Sequence, residues 1–442
     1  MVKLPEVFLD RMKKMLGDEF EAFLDCYDEA PEKGIRLNTL KCTEGKLLSS
    51  FGSELTPSKF SPLSFSAERE IKVGAMPIHS AGAFYSQEPS ASSAVTVLAP
   101  EKGDKVLDMC AAPGGKSTQI AAYLDGTGLL WSNEVVKSRA NILLSNIERM
   151  GIRNAVVSSV YPDVLEKKLA GFFDKVLVDA PCSGEGMFRK NPEAITEWSP
   201  EHVTACAERQ LMILDSAAEC LREGGVLVYS TCTFSYEENE GVTKKFLEKH
   251  PEFEIYPIEV TFGRKAFDGV PALRIFPMDG GEGHYVARFR RIGGNNKYPE
   301  PFEYPKPKSE IKEAQKLFDK ISKIPLWGNL NINNDKVMIL PKALPSIKGI
   351  NVLRAGVVLG EVLKNRIEPH HSLYMALRAD ECKECLDLEL DDPRLIKYLH
   401  GEEIDCDNNS FTAVAVKGMT VGFGKASGGR LKNRYPKGLR YL

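Results

Sequence analysis

The sequence predicts an α/β protein built on an open, mostly parallel sheet, on three observations. From about residue 95, short β-rich runs alternate with longer helical stretches, the pattern of successive βαβ units. The run LDMCAAPGGKS at 107–117, rich in glycine and small residues, forms a strand-to-helix turn. Two later strands each run straight into a cysteine-bearing turn, DAPCSGEGMFRK and TCTFSYEENE.

The candidate strands are 105–109, 129–133, 155–158, 175–179 and 226–230. Between the second and third, Val136, Ala140, Leu143, Ile147 and Met150 recur at helical spacing, and Gly151 supplies the stop. Ser199 as N-cap and Pro200 at the first helical position announce another helix through Leu211, Leu214, Ala218 and Leu221, which Gly224-Gly225 should end. Residues 1 to 74 mix a helical start with the extended run Ile35-Arg36-Leu37-Asn38-Thr39. The run 293–308 (GGNNKYPEPFEYPKPK) reads as a linker. The expected division is 1–74, 75–292, a linker at 293–310, and 311–442.

At 442 residues the chain exceeds the roughly 100 to 200 residues of a usual domain, so two to four domains are expected. The 58 basic and 61 acidic side chains nearly cancel, which leaves local patches to decide whether a polyanion binds. Ten scattered cysteines and a charged, amphipathic start point to a reduced, cytoplasmic protein. No stretch approaches the ~20 apolar residues of a membrane span, and no obligate protein partner is evident.

The 107–117 turn is a candidate nucleotide site. Its glycines alone fit a plain loop equally well, but Glu134 ends the next strand about 20 residues further on, where a carboxylate can accept from both ribose hydroxyls. A phosphate-cradling P-loop needs glycine where Cys110 stands, and the dinucleotide Gly-x-Gly-x-x-Gly is absent. A phosphate-free adenosine cofactor such as S-adenosyl-L-methionine fits a loop lacking both patterns.

Asp179 and Cys182 follow the fourth strand, and Cys232 follows the strand near Val226. Ligands of open α/β sheets sit outside such carboxyl ends, and strands joined by one right-handed crossover often lie side by side, so both thiols can share a pocket. Cys206 and Cys220, on a helix, read as packing residues. A thiolate adding to carbon 6 of cytosine breaks the ring's conjugation and makes carbon 5 nucleophilic toward a methyl donor; loss of the carbon 5 proton and β-elimination then free the thiol. A carboxylate, here Asp179, can hold the exocyclic amine. The pocket alone leaves open which thiol attacks.

On AGAFYSQEPSA, LDMCAAPGGKS, SNE at Glu134, VDAPCSGEGMFRK, YSTCTFSYEENE and RIFPMDGGEGHYVAR, the chain resembles the Sun-type RNA cytosine-5 methyltransferases, especially their RsmF-like bacterial branch acting on small-subunit ribosomal RNA. The resemblance implies a Rossmann-like class I methyltransferase sheet with a small N-terminal RNA-contacting subdomain and a C-terminal PUA-like region. It implies cofactor contacts by Cys110, Ala111, Ala112, Pro113, Gly114, Gly115, Lys116, Glu134 and Asp179, with Arg139 as a helper. It also implies Cys232 as nucleophile and Cys182 as the residue assisting release. The stretch VVSSVYPDV departs from the family by lacking a clear acid or amide for adenine, Asp163 being the nearest substitute. DNA and tRNA are the rival substrates.

For RNA binding, the last 26 residues combine seven cations with Phe423, Tyr435 and Tyr441, a mix suited to phosphate contact and base stacking. KNRYPKGLR resembles the close of the PUA-like module. RLNTL resembles the N-terminal RNA-contacting subdomain, with Arg36 and Asn38 as contacts, although spacing alone favours a structural strand. The target cytosine must be flipped or unpaired. Cys382-x-x-Cys385 lacks a second such pair, so no metal is expected, and an exposed helical surface is the simpler reading.

Overall fold

Strands of a parallel sheet are covered on both faces, and this demand is met at 129–158: every residue of Leu129–Asn133 and Ala155–Ser158 is buried. The computed structural model describes residues 4–52, 54–294, 297–305, 309–364 and 366–441. In its central sheet Lys105–Asp108 lies parallel between Leu129–Asn133 and Phe173–Asp179. Ala155–Ser158 extends the first flank and Leu221–Thr231 the second, also in parallel. The chain thus reverses its direction of growth at Lys105–Asp108, which creates a ligand-binding crevice at the carboxyl ends beside it. His284–Arg291 adds antiparallel to Leu221–Thr231, so the predicted α/β, Rossmann-like sheet is present with an antiparallel flank.

Two of the helices that pack on the sheet are those the sequence announces. Lys137–Arg149 buries Ala140, Leu143 and Ile147, while Val136 stays exposed at its N-cap. Pro200–Cys220 starts as its sequence dictates, with Ser199 Oγ accepting from the His202 N–H at 3.1 Å. It ends earlier than Gly224-Gly225, because the fully buried Leu221 turns extended and pairs with Phe173. The glycine pair sits instead in an irregularity of the strand, where Gly224 has φ +74.

An antiparallel sheet precedes the central one, in the order Leu55–Pro57, Ser64–Ala67, Gly34–Leu37 and Phe84–Ser86. Its Arg36 and Asn38 are buried rather than offered to a substrate. Arg36 donates to Gln87 and, at 2.5 Å, to Thr118 Oγ1; Asn38 Nδ2 donates to the carbonyls of Gly82 at 2.8 Å and Met150 at 2.9 Å. The structural reading of RLNTL therefore replaces the substrate-contact one.

The C-terminal part holds a four-stranded sheet from Asn329–Asn333 to Arg366–Pro369 and a five-stranded sheet from Cys385–Leu388 to Arg430–Asn433. Residues 295–296 and 306–308 of the expected linker lie outside the described residues, as does Leu442 of the basic tail. Val352–Ala355 pairs antiparallel with Ala155–Ser158, which ties this part to the central sheet's edge. Ile35, Leu37 and Phe65 also share one core with Leu395, Val414 and Val421. At that junction the buried Lys41 ammonium donates to the carbonyl of Met375 at 2.7 Å and to Thr420 Oγ1 at 2.5 Å.

The tail's aromatics are spent on packing, which corrects the base-stacking expectation. Phe423 stacks on Tyr374 with centroids 4.4 Å apart, and Tyr435 is buried. Lys417, Arg430 and Arg434 form ion pairs with Glu389, Asp405 and Glu368. Cys382 is buried and Cys385 opens a strand, so the pair is not an exposed helical surface. No helix among the described residues is long and apolar enough to cross a membrane. Replacing Lys41 by Met leaves oxygens of Met375 and Thr420 without their donor, and should lower unfolding stability by about 1–3 kcal/mol in chemical denaturation. An unchanged midpoint and slope would mean that this junction contributes nothing to stability.

Candidate active site

The first turn is held from three directions. The Met109 N–H donates to Leu177 O at 2.9 Å and the Ala111 N–H to Asn133 O at 2.8 Å, which fixes the chain over both neighbouring strands. Gly114, at φ +112, supplies the left-handed step into the helix Gly115–Leu124. Arg139 Nη2 donates to Ala112 O at 3.0 Å and Asn146 Nδ2 to Pro113 O at 2.9 Å.

Glu134, 4% exposed, accepts from the Val136 N–H at 2.9 Å and lies 3.5 Å from Arg139 Nη1. Arg139 therefore links the carboxylate to the loop. Lys116 Nζ pairs with Asp179 Oδ2 at 2.7 Å, and Ser230 Oγ donates to Asp179 Oδ1 at 2.8 Å. Burial opposes the Lys116 charge, but Asp179 more than offsets it and holds the lysine above its usual range.

The two cysteine turns converge: Cys182 Sγ and Cys232 Sγ are 3.3 Å apart, and both side chains are half-buried. The hydrogen bond to Cys232, then burial, push the Cys182 thiol up, so it stays protonated at neutral pH. A cleft of about 1010 Å³ unites Cys110, Glu134, Arg139, Asp179, Cys182 and Cys232 along its walls. Ala112 and Asp163 also line it, Asp163 paired at 2.8 Å with Lys167. Ala111 and Gly115 are buried beneath the turn, whereas Pro113 is exposed.

Sequence reasoning missed three buried acids. Asp108 ends the first strand with Ser117 Oγ donating to its Oδ2 at 2.7 Å, while its Oδ1 has no partner among the described residues. Glu185 and Glu238 lie in the cysteine-bearing turns. The available signal was an acid set among small or apolar residues in LDMC and SGEGMF; Glu238, between Glu237 and Asn239 in YEENE, carried no such signal. Burial pushes the Asp108 carboxyl from 3.8 up to about 7. The folded state then binds the extra proton between those values, so this group's contribution to stability falls as pH rises through that window. Asp108→Asn should flatten that part of the profile when denaturation is followed from about pH 4 to about pH 8; a wild-type-like slope in the variant would contradict it.

Known proteins agree with this architecture along its length. Residues 95–290 match the family model described as 16S rRNA methyltransferase RsmB/F. Residues 4–89 match the N-terminal domain of 16S rRNA methyltransferase RsmF, 316–377 its first C-terminal domain, and 385–441 the RsmF PUA domain. The chain is 33% identical to ribosomal RNA small subunit methyltransferase F of Vibrio vulnificus, over 99% of its own length and 98% of that protein. It is 32% identical to the protein of the same name from Cronobacter sakazakii, over 99% and 96%. A methyltransferase homolog protein from Pyrococcus horikoshii superposes with a TM-score of 0.58 at 27% identity, over 66% of this chain and 96% of that one. With sequence and fold in agreement, the chain belongs to the 16S rRNA methyltransferase RsmB/F family and is an S-adenosylmethionine-dependent methyltransferase.

Proposed function

We propose that the protein methylates carbon 5 of a cytosine in small-subunit ribosomal RNA through a covalent bond from Cys232, and that it does so in the cytoplasm. The observation that carries this reading is the 3.3 Å approach of Cys182 and Cys232 in a cleft shared with Glu134 and Asp179. The names of the Vibrio and Cronobacter relatives support the RNA and the subunit.

The cofactor fits the donor set. Glu134 is a buried carboxylate at a strand end, suited to two ribose hydroxyls, and the Cys110 turn has neither phosphate-binding pattern. Cys110, Ala112, Glu134, Arg139 and Asp179 would hold it in the cleft, with Ala111, Pro113, Gly114, Gly115 and Lys116 shaping the turn. S-adenosylmethionine supplies an electrophilic methyl group when bound.

The Cys232 sulfur bonds to carbon 6 of the cytosine, the carbon 5–carbon 6 double bond opens toward carbon 4, and ring N3 takes up the thiol proton, which leaves carbon 5 enamine-like and nucleophilic. Asp179 accepts from the exocyclic amine, and the Lys116 ammonium paired with it holds that carboxylate in place. After methyl transfer, carbon 5 loses its proton, the electron pair re-forms the carbon 5–carbon 6 double bond and the sulfur leaves carbon 6. A base bonded to Cys232 necessarily lies close to Cys182, which suits the latter to assist release.

With small-subunit rRNA and cofactor, wild type should yield 5-methylcytosine by nucleoside mass spectrometry. Cys182→Ala should accumulate a denaturation-resistant protein–RNA adduct, and Cys232→Ala should give neither. An adduct from Cys232→Ala would reverse the thiol roles, and faster methylation of tRNA or DNA would overturn the substrate.

A further inference from the structure

The two cysteine turns are cross-linked by a pair of buried glutamates, each capping the turn to which it does not belong. Glu185, three residues after Cys182, accepts at Oε2 from Thr233 Oγ1 and the Phe234 N–H, both at 2.9 Å. Glu238, six residues after Cys232, accepts from the Ser183 N–H at 2.9 Å and from Ser183 Oγ at 2.5 Å. Ser183 Oγ and Thr233 Oγ1 meet at 2.9 Å, and the Gly186 N–H donates to Cys232 O at 2.9 Å. Both carboxyl groups are 1% exposed or less. Each has a further anchor, Trp198 Nε1 on Glu185 at 3.0 Å and Gln210 Nε2 on Glu238 at 2.8 Å.

We propose that Glu185 and Glu238 are positioning residues that form a reciprocal carboxylate clamp, setting the two thiols in register so that both reach one pyrimidine ring. The proposal rests on the functional reading of Cys232 and Cys182. Neither glutamate lines the cleft, so neither touches the reacting atoms. A strand end followed by a small-residue turn is otherwise free to pivot, and each turn would carry its thiol with it. Hydrogen bonds from backbone N–H and hydroxyl groups to a buried carboxylate are the strong, charge-assisted kind, which makes them suited to stop that motion. Reciprocity matters, since displacement of either turn breaks bonds at both carboxylates.

The test follows thiol geometry and catalysis separately in the full-length protein. A diazene oxidant takes two electrons and two protons from the paired thiols, forming one Cys182–Cys232 disulfide, and intact-mass loss of two hydrogens times it. Glu238→Gln should slow this cross-link and lower kcat on rRNA about tenfold each, the scale of one lost charge-assisted bond, with KM for RNA nearly unchanged. Ser183→Ala, which removes the hydroxyl but keeps the buried carboxylate, should move both in the same direction if Glu238→Gln does not fold. Glu237→Gln, on an exposed neighbour paired with Arg11, should move neither. Cross-linking at the wild-type rate in a folded clamp variant would overturn the proposal, as would slowed cross-linking with wild-type turnover. Were wild type inactive on RNA, the functional reading would fall while the cross-linking rates still decided the clamp.

Discussion

Parallel pairing of Phe173–Asp179 with Leu221–Thr231 is the constraint on which the site depends. Val178 stands opposite Tyr229 and Asp179 opposite Ser230, and one further bond, from the Ala180 N–H to Ser230 O at 2.9 Å, carries the register past the strand ends. Both chains leave the sheet at the same height, so the turns bearing Cys182 and Cys232 have nowhere to go but beside each other. Lys105–Asp108 pairs with the other edge of Phe173–Asp179, which puts the Cys110 turn next to them. The carboxyl ends of these three strands join that of Leu129–Asn133, which brings Glu134, in supplying one cleft, and Cys110 and Cys232 on its walls are 122 residues apart in the sequence.

Behind the turns the N-terminal helices provide a wall. Phe8 meets Phe188 and Trp198 at centroid distances of 5.0 and 5.9 Å, and Phe23 meets Phe234 at 5.4 Å. Phe188 and Trp198 follow the Cys182 turn, and Phe234 follows Cys232, so one aromatic cluster backs both. Arg274 and Glu240 form a buried ion pair beneath it, with Arg274 Nη1 also donating to Phe234 O at 2.7 Å. Removing either partner of such a pair typically costs ~3–5 kcal/mol, since it strands a charge in the core. The N-terminal segment thereby acts on the site through packing, whatever contact it makes with RNA.

The sheet was legible because period and punctuation agreed: the second and third strands coincide with their observed bounds, Leu129–Asn133 and Ala155–Ser158. The approach of the two thiols was legible from their shared relation to strand ends. Three features were not. Gly224-Gly225 looks like a helix stop, but tertiary pairing of Leu221 with Phe173 ends the helix first. Phe423 and Tyr435 look like stacking platforms beside cations, and only the fold reveals Tyr374 and His371 already packed on them. Glu185 and Glu238 carry no sequence sign of their partners, because their bonds join segments some 50 residues apart: Ser183 is 55 residues from Glu238.

The central claim is that Cys232 is the sulfur that bonds to cytosine, and trapping that bond tests it most directly. In RNA carrying 5-fluorocytosine, fluorine replaces the proton that must leave carbon 5, so elimination is blocked after methyl transfer and the adduct persists. Digestion and peptide mass spectrometry of the wild-type adduct then identify the bonded residue. A methylated fluoropyrimidine on the peptide containing Cys232 is the predicted result; the same mass on the peptide containing Cys182, or no adduct under conditions where unsubstituted RNA is methylated, would contradict the account.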